Sequence, residues 1–420
     1  MAVSLYVHIP YCVQKCGYCD FNSYAGAQPS EQEGYVRVLL TEMERWAGRP
    51  ELAGAPVPTV FVGGGTPTML EGRHLAAVIA GAARHFALTN DAEITTEANP
   101  GTVDFEGDKL KLAFDAGANR ISFGVQARQP HLLQRLGRIH TPDQVERAVA
   151  AARAAGFRNI NLDLMYGLPG QTPAEFRETV DWALSLGPKH ISAYSLTVEE
   201  GTPFFADFDA GRLTLPAEDD EEEMFAAGKA MLEAAGFEHY EVSNFARPGH
   251  RSRHNQVYWR NEPYLGLGCG AHSFLQLRAP LPNLGAPRPR LSASRVQGGA
   301  PIETAPGRPG QRYRFWNLKT PSPYRAAIER GDWPVEAGEV IDRPSEMAET
   351  MMLGLRLLEG VPEERFRNRF GITLNDVYGT TVDRLISRGL LERAEGAVRL
   401  TPRGLRLGNQ VWQEFLQEQK

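Results

Sequence analysis

Residues 4–19 read SLYVHIPYCVQKCGYC, a short apolar strand pattern that leads directly into a loop with three cysteines. Similar patterns recur through the first half of the chain, each followed by an amphipathic helical stretch. Candidate helix N-caps precede three of these stretches, at Thr141, Thr172 and Ser30. The candidate strands span residues 4–9, 59–63, 93–97, 120–124, 159–165 and 190–195. Six such units in succession predict an α/β fold with a parallel sheet and right-handed crossovers.

Polar side chains stand at the carboxyl ends of several candidate strands. Glu97, Gln126 and Asp163 each close a mostly apolar run. Because parallel strands end at the same edge of a sheet, we expect these side chains to share one rim, where α/β folds carry their sites. The pattern alone fits a part-barrel and a flat doubly wound sheet equally well.

Composition excludes several classes of protein. The chain has 420 residues, of which 42% are hydrophobic and 23% charged, and its net charge is −6. These are globular values, and the charge provides no positive field for nucleic acid or an anionic membrane. No apolar run approaches the length of about 20 residues that a membrane span needs. The start lacks the pattern of a signal peptide, so we expect a cytoplasmic protein without a nucleic-acid partner.

The second half of the chain changes in character. Residues 278–312 are rich in Pro, Gly and Arg and lack periodicity, which is typical of a surface insertion; a lid is the alternative. Residues 374–415 show the helix–hairpin–helix outline of a winged-helix module, but they are not notably basic, so we expect packing or docking. The predicted division is 1–245 for the repeating units, 246–275 for a connecting segment, 276–312 for the insert and 313–420 for a mostly helical C-terminal domain.

Three of the four cysteines lie within eight residues, at Cys12, Cys16 and Cys19. Thiolates at this spacing on one loop can bind three irons of an iron–sulfur cubane and leave the fourth iron open. A zinc knot completed by His8 or Asp20 is the structural alternative. The functional alternative is a plain iron–sulfur electron carrier. A ligand of the open iron that perturbs the spectrum of the cluster would exclude this alternative.

The CxxxCxxC triad after Tyr6-Val7-His8-Ile9-Pro10 resembles the radical S-adenosylmethionine (SAM) superfamily. The resemblance implies a [4Fe–4S] cluster on the three cysteines, with the amino and carboxylate groups of SAM bound at the open iron. It also implies a partner that donates one electron to the cluster, and a partial (β/α)6 TIM-like barrel.

Further motifs match, in order, the SAM-contacting positions of the coproporphyrinogen dehydrogenase branch of this superfamily. The motifs are VGGGTPT at 62–68, TEANP at 96–100, ISFGVQ at 121–126, LGR at 136–138 and NLDLMYGLPG at 161–170. The resemblance covers most of residues 4–275 and 313–420, and it implies a helical C-terminal domain with a winged-helix-like tail over the barrel mouth. By this resemblance the SAM contacts are Tyr6, Gly64, Gly65, Thr66, Glu97, Gln126, Arg138 and Asp163, with Tyr18 near the adenine.

Three features favour the haem-chaperone members of the branch over the enzyme, oxygen-independent coproporphyrinogen III dehydrogenase. The enzyme has a fourth cysteine at the position of Phe21, and it has a substantial extension before the triad, whereas here Cys12 follows eleven residues. Residues 254–259, HNQVYW, match the HNxxYW motif of the chaperones. The resemblance thus implies a protein that binds haem and SAM and passes haem to client proteins without decarboxylating porphyrinogens. Any membrane association would occur through clients only.

The motif makes His254 the predicted haem ligand, because a neutral imidazole is a good axial ligand and the neighbouring aromatics can pack against a macrocycle. His250 and His272 are nearby alternatives. Cys269, in a glycine-rich turn, is interpreted as a small buried residue, with a thiolate haem ligand as the alternative.

Overall fold

The computed structural model describes residues 1–278, 281 and 311–417. Most of the predicted insert at 276–312, and with it the lid hypothesis, lies outside the described residues. The strands are β1 Ser4–Ile9, β2 Tyr11–Cys12, β3 Tyr24–Ala25, β4 Pro56–Gly64, β5 Ala87–Ala98, β6 Arg120–Gln126, β7 Asn159–Tyr166, β8 His190–Ser195, β9 Glu238–Glu241, β10 Asn244–Ala246, β11 Tyr264–Leu267, β12 His272–Gln276, β13 Arg312–Asn317, β14 Val335–Ile341, β15 Val361–Pro362, β16 Leu391–Ala394 and β17 Ala397–Leu400. The helices are α1 Pro29–Ala47, α2 Gly72–His85, α3 Lys109–Asp115, α4 Pro130–Leu136, α5 Pro142–Ala155, α6 Pro173–Ser185, α7 Pro203–Asp209, α8 Glu218–Ala234, α9 Arg253–Trp259, α10 Pro321–Arg330, α11 Arg343–Gly354, α12 Glu363–Phe370, α13 Leu374–Ser387, α14 Pro402–Arg406 and α15 Gly408–Gln417.

A twelve-stranded sheet dominates the molecule, in the order β14-β13-β12-β11-β1-β4-β5-β6-β7-β8-β10-β9. Its centre consists of six parallel strands, β1 and β4 to β8, which are the six strands predicted from the sequence. Helices alternate with these strands, so the carboxyl ends of all six meet at one rim. The predicted α/β fold class is confirmed.

Helix boundaries follow local sequence chemistry. Thr141 and Thr172 cap α5 and α6 as predicted, each in a capping box with the residue three positions on. The predicted cap Ser30 lies inside α1 instead. Pro29 occupies the first helical position, where its missing N–H costs nothing, and Gln28 becomes the N-cap.

Strands from the second half of the sequence extend the sheet beyond the six parallel strands. β11 lies parallel to β1, and β12 to β14 follow as antiparallel strands. The sheet therefore crosses the predicted boundary at residue 313, and the division of the chain into domains stays a prediction. The three-stranded sheet β15-β17-β16 and helices α11 to α15 form a separate apolar core around Met351, Phe366, Val382 and Phe415.

Hydrogen bonds of Glu42 link α1 to the turn between β11 and β12. Its carboxylate is fully buried and accepts hydrogen bonds from the Gly268 amide (2.7 Å), the Tyr324 hydroxyl (2.6 Å) and the Asn317 side-chain amide (2.7 Å). Asn22, just after the cysteine loop, donates to the Cys269 carbonyl at 3.2 Å. The turn thus connects the C-terminal strands with the loop that carries the cysteine triad.

No helix among the described residues is long and apolar enough to cross a membrane.

Candidate functional site

The cysteine triad occupies a loop held at the rim of the barrel from several sides. The short parallel pair β2–β3 closes the loop at its base. At the loop's middle, the Gly17 amide donates to the Leu136 carbonyl at 3.3 Å, and the Gly17 carbonyl accepts from the Phe204 amide at 3.0 Å. A Cβ at Gly17 would lie 2.7 Å from the Phe204 ring. A larger residue at Gly17 would therefore have to displace the Phe204 ring where the loop packs between α4 and α7.

All three thiols are partly exposed and line one cavity of about 150 Å³. Cys12 Sγ lies 3.5 Å from Thr66 Oγ1, and Cys16 Sγ accepts a hydrogen bond from Arg138 Nη1 at 3.5 Å. Burial raises the pKa of Cys12 and of Cys19 in the metal-free protein.

The three thiols lie on one loop and line one cavity, so they match the three thiolates of a cubane that has one open iron. Among the described residues no three His, Cys, Asp or Glu side chains converge closely enough to hold one metal ion. A cubane places its thiolates on separate irons, so they stand further apart than the ligands of zinc. His8, the histidine of the zinc alternative, donates through Nε2 to the Asn22 carbonyl at 2.8 Å and accepts at Nδ1 from the Tyr6 hydroxyl at 2.9 Å.

The glycines at the end of β4 bring the backbone against the cysteine loop. The amides of Gly65 and Thr66 donate to the carbonyls of Ile9 (2.8 Å) and Tyr11 (2.7 Å). A Cβ at Gly65 would lie 2.7 Å from the Tyr11 carbonyl oxygen, and Gly64 has a φ of +110°. Only glycine fits at both positions, which leaves the Gly64 backbone open to a ligand in the cavity.

Two polar side chains on the cavity wall each have one buried atom without a hydrogen-bond partner. Gln126, a non-glycine residue with a φ of +70°, has a buried Oε1 without a hydrogen bond, and Arg138 has a buried Nε without one. Both residues line the cavity beside the three thiols. A strained backbone and unpaired buried polar atoms at one place indicate a site that a polar ligand completes. The wall therefore fits a ligand with the donors and acceptors of SAM.

Glu97 and Asp163 place two half-buried carboxyl groups on β5 and β7. Glu97 accepts from the Gly64 amide at 3.0 Å, and Asp163 accepts from Asn161 (2.7 Å) and Ser122 (3.0 Å). Burial, reinforced by the charge of Asp163, raises the pKa of Glu97 to about 7, and burial also raises that of Asp163. Glu97 thus changes charge near neutral pH.

A second cavity of about 750 Å³ adjoins the first and extends into the barrel. Its wall shares Tyr18, Gly64, Glu97, Gln126 and Asp163 with the smaller cavity. Gly65, Thr66 and Arg138 line only the smaller cavity, whereas Tyr6 lines only the larger one. The structure therefore brings all the predicted cluster and SAM residues to the walls of two connected cavities.

His254 lies on α9, where it lines the larger cavity but is only 1% exposed. Its ring stacks on Phe61, and its nitrogens bond to Thr59 Oγ1 (2.8 Å) and Tyr258 Oη (2.9 Å). Burial, helped by the charge of Arg120, lowers the pKa of His254 to about 3. The imidazole is therefore neutral at working pH, but both its nitrogens already have partners.

The alternative haem ligands occupy different surroundings. His272 is exposed and lines the larger cavity. Its ring stacks on Trp316 and has no hydrogen bond to any of the described residues. His250 lies outside the lining of this cavity. Cys269 is fully buried and lines neither cavity, and burial raises the pKa of its thiol to about 12. These surroundings agree with the interpretation of Cys269 as a small buried residue.

Sequence reasoning misses a polar layer inside the barrel. Asn161 donates to Ser122 Oγ (2.7 Å) and Ser192 Oγ (3.2 Å), and Arg120 lies close by with 2% of its surface exposed. The signal was present, because Arg120, Ser122 and Gln126 occupy alternate positions of a strand that otherwise reads as apolar.

Comparisons with known proteins agree with this geometry. The family model of the radical SAM superfamily matches residues 6–183, and that of the HemN C-terminal domain matches residues 341–407. The structure is similar to that of coproporphyrinogen III oxidase (HemN) from Escherichia coli, a radical SAM enzyme, with a TM-score of 0.77 and 22% identity over 99% of this chain and 90% of that chain. At this identity the likeness establishes the fold alone. Fold and cysteine triad together define a radical SAM protein.

Curated relatives narrow the assignment. The heme chaperone HemW of Bacillus subtilis (strain 168) is 37% identical over 420 residues, which cover 99% of each chain. HemW of Escherichia coli (strain K12) is 44% identical over 270 residues, 64% of this chain and 69% of that one. The chain belongs to the HemW family of the radical SAM superfamily, as the sequence motifs predicted.

Proposed function

We propose that this chain is a haem chaperone, which binds haem inside the barrel and transfers it to client proteins. The observation that carries the proposal is the larger cavity, because the HNxxYW helix α9 lines it directly beside the cluster site. Its volume of about 750 Å³ lies within the usual range for cofactor pockets. The similarity to HemW over the full chain supports the same function.

Cys12, Cys16 and Cys19 would hold a [4Fe–4S] cluster, and the walls of both cavities would hold SAM. The cluster supplies one electron to SAM when both are bound. Gly64 and Gly65 would give SAM access to the backbone, the carboxyl groups of Glu97 and Asp163 would attract its positive charge, and Tyr18 would provide an aromatic surface. We propose that cluster and SAM govern haem transfer or its redox state rather than decarboxylation.

We further propose a cytoplasmic location and a protein electron donor for the cluster. A reducing compartment keeps the three thiols available for iron. Phe21 (61% exposed) and Val13 (49% exposed) protrude from the cysteine loop, so an electron donor can approach the cluster there. Because the position of the enzyme's fourth cysteine is this exposed phenylalanine, the loop offers no fourth thiolate.

His254 is the proposed axial ligand of haem. Its neutral ring needs no deprotonation, and release of Tyr258 Oη would free Nε2 for iron. Accessibility favours His272 instead, since that ring faces the same cavity without a hydrogen bond.

A haem titration distinguishes these ligands. Cluster-reconstituted protein is titrated with haem under anaerobic conditions and followed by its Soret band. We expect saturable binding near one haem per chain, weakened about tenfold or more in His254→Ala, the equivalent of about 1.4 kcal/mol. Tyr258→Phe should bind haem at least as tightly as wild type, because it removes the group that competes for Nε2.

His250→Ala is the matched control, since this histidine lies outside the cavity wall. Loss of binding in His272→Ala with normal binding in His254→Ala would reassign the ligand. Weak, equal binding by wild type and all variants would contradict the chaperone proposal and make coproporphyrinogen decarboxylation the assay to run.

SAM affinity should depend on pH through Glu97. In the free protein this carboxyl holds a proton below about pH 7, whereas the cationic ligand prefers the carboxylate. Affinity should therefore rise with pH and level off above pH 7, with a loss of about tenfold between pH 8 and pH 6. The measurement is calorimetric titration of SAM at both pH values; Glu97→Gln should flatten the profile, and exposed Glu44→Gln should not. An equally steep profile in Glu97→Gln would refute this role.

A further inference from the structure

Arg120 is a buried cation without a partner in the barrel. It begins β6, and its side chain lines the larger cavity although only 2% of the residue is exposed. Its Nε is buried and has no hydrogen bond. Within the described part of the chain, no carboxylate comes within ion-pair distance of its guanidinium.

Two carboxyl groups that are influenced by the charge of Arg120 already have other hydrogen-bond partners. Asp163 accepts from Asn161 and Ser122, and Glu97 accepts from the Gly64 amide. Arg120 acts on both only at a distance, where its charge opposes the effect of burial on their pKa values. Because arginine stays protonated, a buried guanidinium without an ion-pair partner is destabilising. Such a cost is typical of a site that is completed by an anion.

Other residues of the cavity wall indicate what kind of molecule would carry this anion. Apolar and aromatic side chains form part of the wall of the cavity that Arg120 lines; they include Phe61, Met165, Leu196, Tyr258 and Tyr264. A planar macrocycle can pack against such a wall, and a carboxylate on its edge matches the fork of an arginine. A tetrapyrrole with propionate side chains combines both features.

We propose that Arg120 binds a propionate carboxylate of the tetrapyrrole and thereby fixes how the macrocycle enters the barrel. This inference rests on the proposed function, because it assumes that the larger cavity receives a tetrapyrrole. Haem and coproporphyrinogen both carry propionates, so the chemistry is shared and the experiment must separate them. The charge of Arg120 also acts on His254, which places the anion site and the proposed iron ligand in the same part of the cavity.

The experiment compares haem with its dimethyl ester, which has the same macrocycle without the negative charges. Wild type should bind haem about tenfold or more tightly than the ester, since a charge-assisted pair is lost with the ester. Arg120→Met should bind both alike, Arg120→Lys should keep part of the preference, and exposed Arg84→Met should behave as wild type. A preference for haem in Arg120→Met as large as that of wild type would overturn the proposal.

Two further measurements distinguish loss of an anion site in Arg120→Met from loss of structure or of SAM binding. Urea unfolding should show Arg120→Met no less stable than wild type, because the variant removes an unpaired charge; a large loss of stability would reveal a structural partner and refute the proposal. SAM affinity is measured at a pH high enough to ionise Glu97 in both proteins, because loss of the Arg120 charge raises the pKa of that carboxyl. There it should change by less than about twofold, whereas its loss together with the haem preference would assign Arg120 to SAM instead.

The same titrations with coproporphyrin III and its tetramethyl ester identify the source of the carboxylate. Arg120-dependent binding of haem supports the chaperone, and Arg120-dependent binding of coproporphyrin alone supports a propionate site in an enzyme of porphyrinogen metabolism. Wild-type protein that binds haem and ester equally contradicts the Arg120 proposal and leaves the chaperone proposal intact. Absence of any tetrapyrrole binding overturns both.

Discussion

Replacing Cys16 with alanine is expected to remove the iron–sulfur cluster completely. Each of the three thiolates would bind a separate iron, and two thiolates leave half of the cubane without protein ligands. The iron content and the visible absorption of the reconstituted protein should fall to the level of a metal-free chain. The position is also central to the loop, because Cys16 Sγ accepts from Arg138 and its carbonyl accepts from the Cys19 amide.

Cys269→Ala is the matched control for this experiment. Cys269 is buried in the β11–β12 turn, lines neither cavity and should leave the cluster intact. A full four-iron signal in Cys16→Ala would refute the cluster assignment. Perturbation of the wild-type spectrum by SAM would exclude a plain electron carrier, which has no use for a ligand at the open iron.

Replacing Glu42 with alanine should cause the largest loss of stability among the changes considered. The truncation leaves the Gly268 amide, the Tyr324 hydroxyl and the Asn317 amide without their buried acceptor. Unsatisfied buried groups of this kind together cost about 3–5 kcal/mol in the free energy of unfolding. Urea unfolding measures the loss, and exposed Glu44→Ala on the same helix should stay within about 0.5 kcal/mol of wild type.

Glu42→Gln adds a pH test of the same contact. Burial raises the pKa of Glu42 to about 7 from an ordinary value of 4.5, so the folded chain holds a proton that the unfolded chain releases across this window. This contribution to stability is present below pH 4.5 and is lost as pH rises through 7, by up to about 1.4 kcal/mol per pH unit. The free energy of unfolding should fall less steeply in Glu42→Gln. An equal slope in both proteins, or a small effect of Glu42→Ala, would contradict the account.

The barrel strands are predictable from the sequence because each is a short apolar run between turns. Such a run depends only on residues that are neighbours in the chain. The main difference is β5, which is predicted at 93–97 but begins at Ala87. Its first residues, Ala87 and Leu88, pair with Pro56 and Val57 of β4 before a shift of register. The continuation of the sheet through β11 to β14 is not visible locally. It depends on partners far apart in the chain, such as Ser4 and Tyr264.

The candidate site also has some features that the local sequence predicts and others that it does not. Cysteine spacing and glycine runs are local signals, so they predict where a cluster and SAM would bind. The surroundings of His254 depend on Thr59, 195 residues away, and no local pattern predicts that both ring nitrogens are bonded. Arg120 belongs to the alternating polar pattern of its strand, but an arginine at the start of a strand is typical of a surface residue, so its burial depends on closure of the barrel around it.

The pairing of β1 with β11 also has a consequence for biogenesis. On a ribosome, Ser4 emerges about 260 residues before Tyr264, its partner in the sheet, which corresponds to roughly 10–50 s of synthesis. Throughout that interval one edge of β1 is open, and the thiols that follow it are held by an unfinished sheet. Insertion of the cluster is therefore expected only after β11 has emerged and paired with β1, so the supply of iron and the protection of free thiols during translation should limit the yield of active protein.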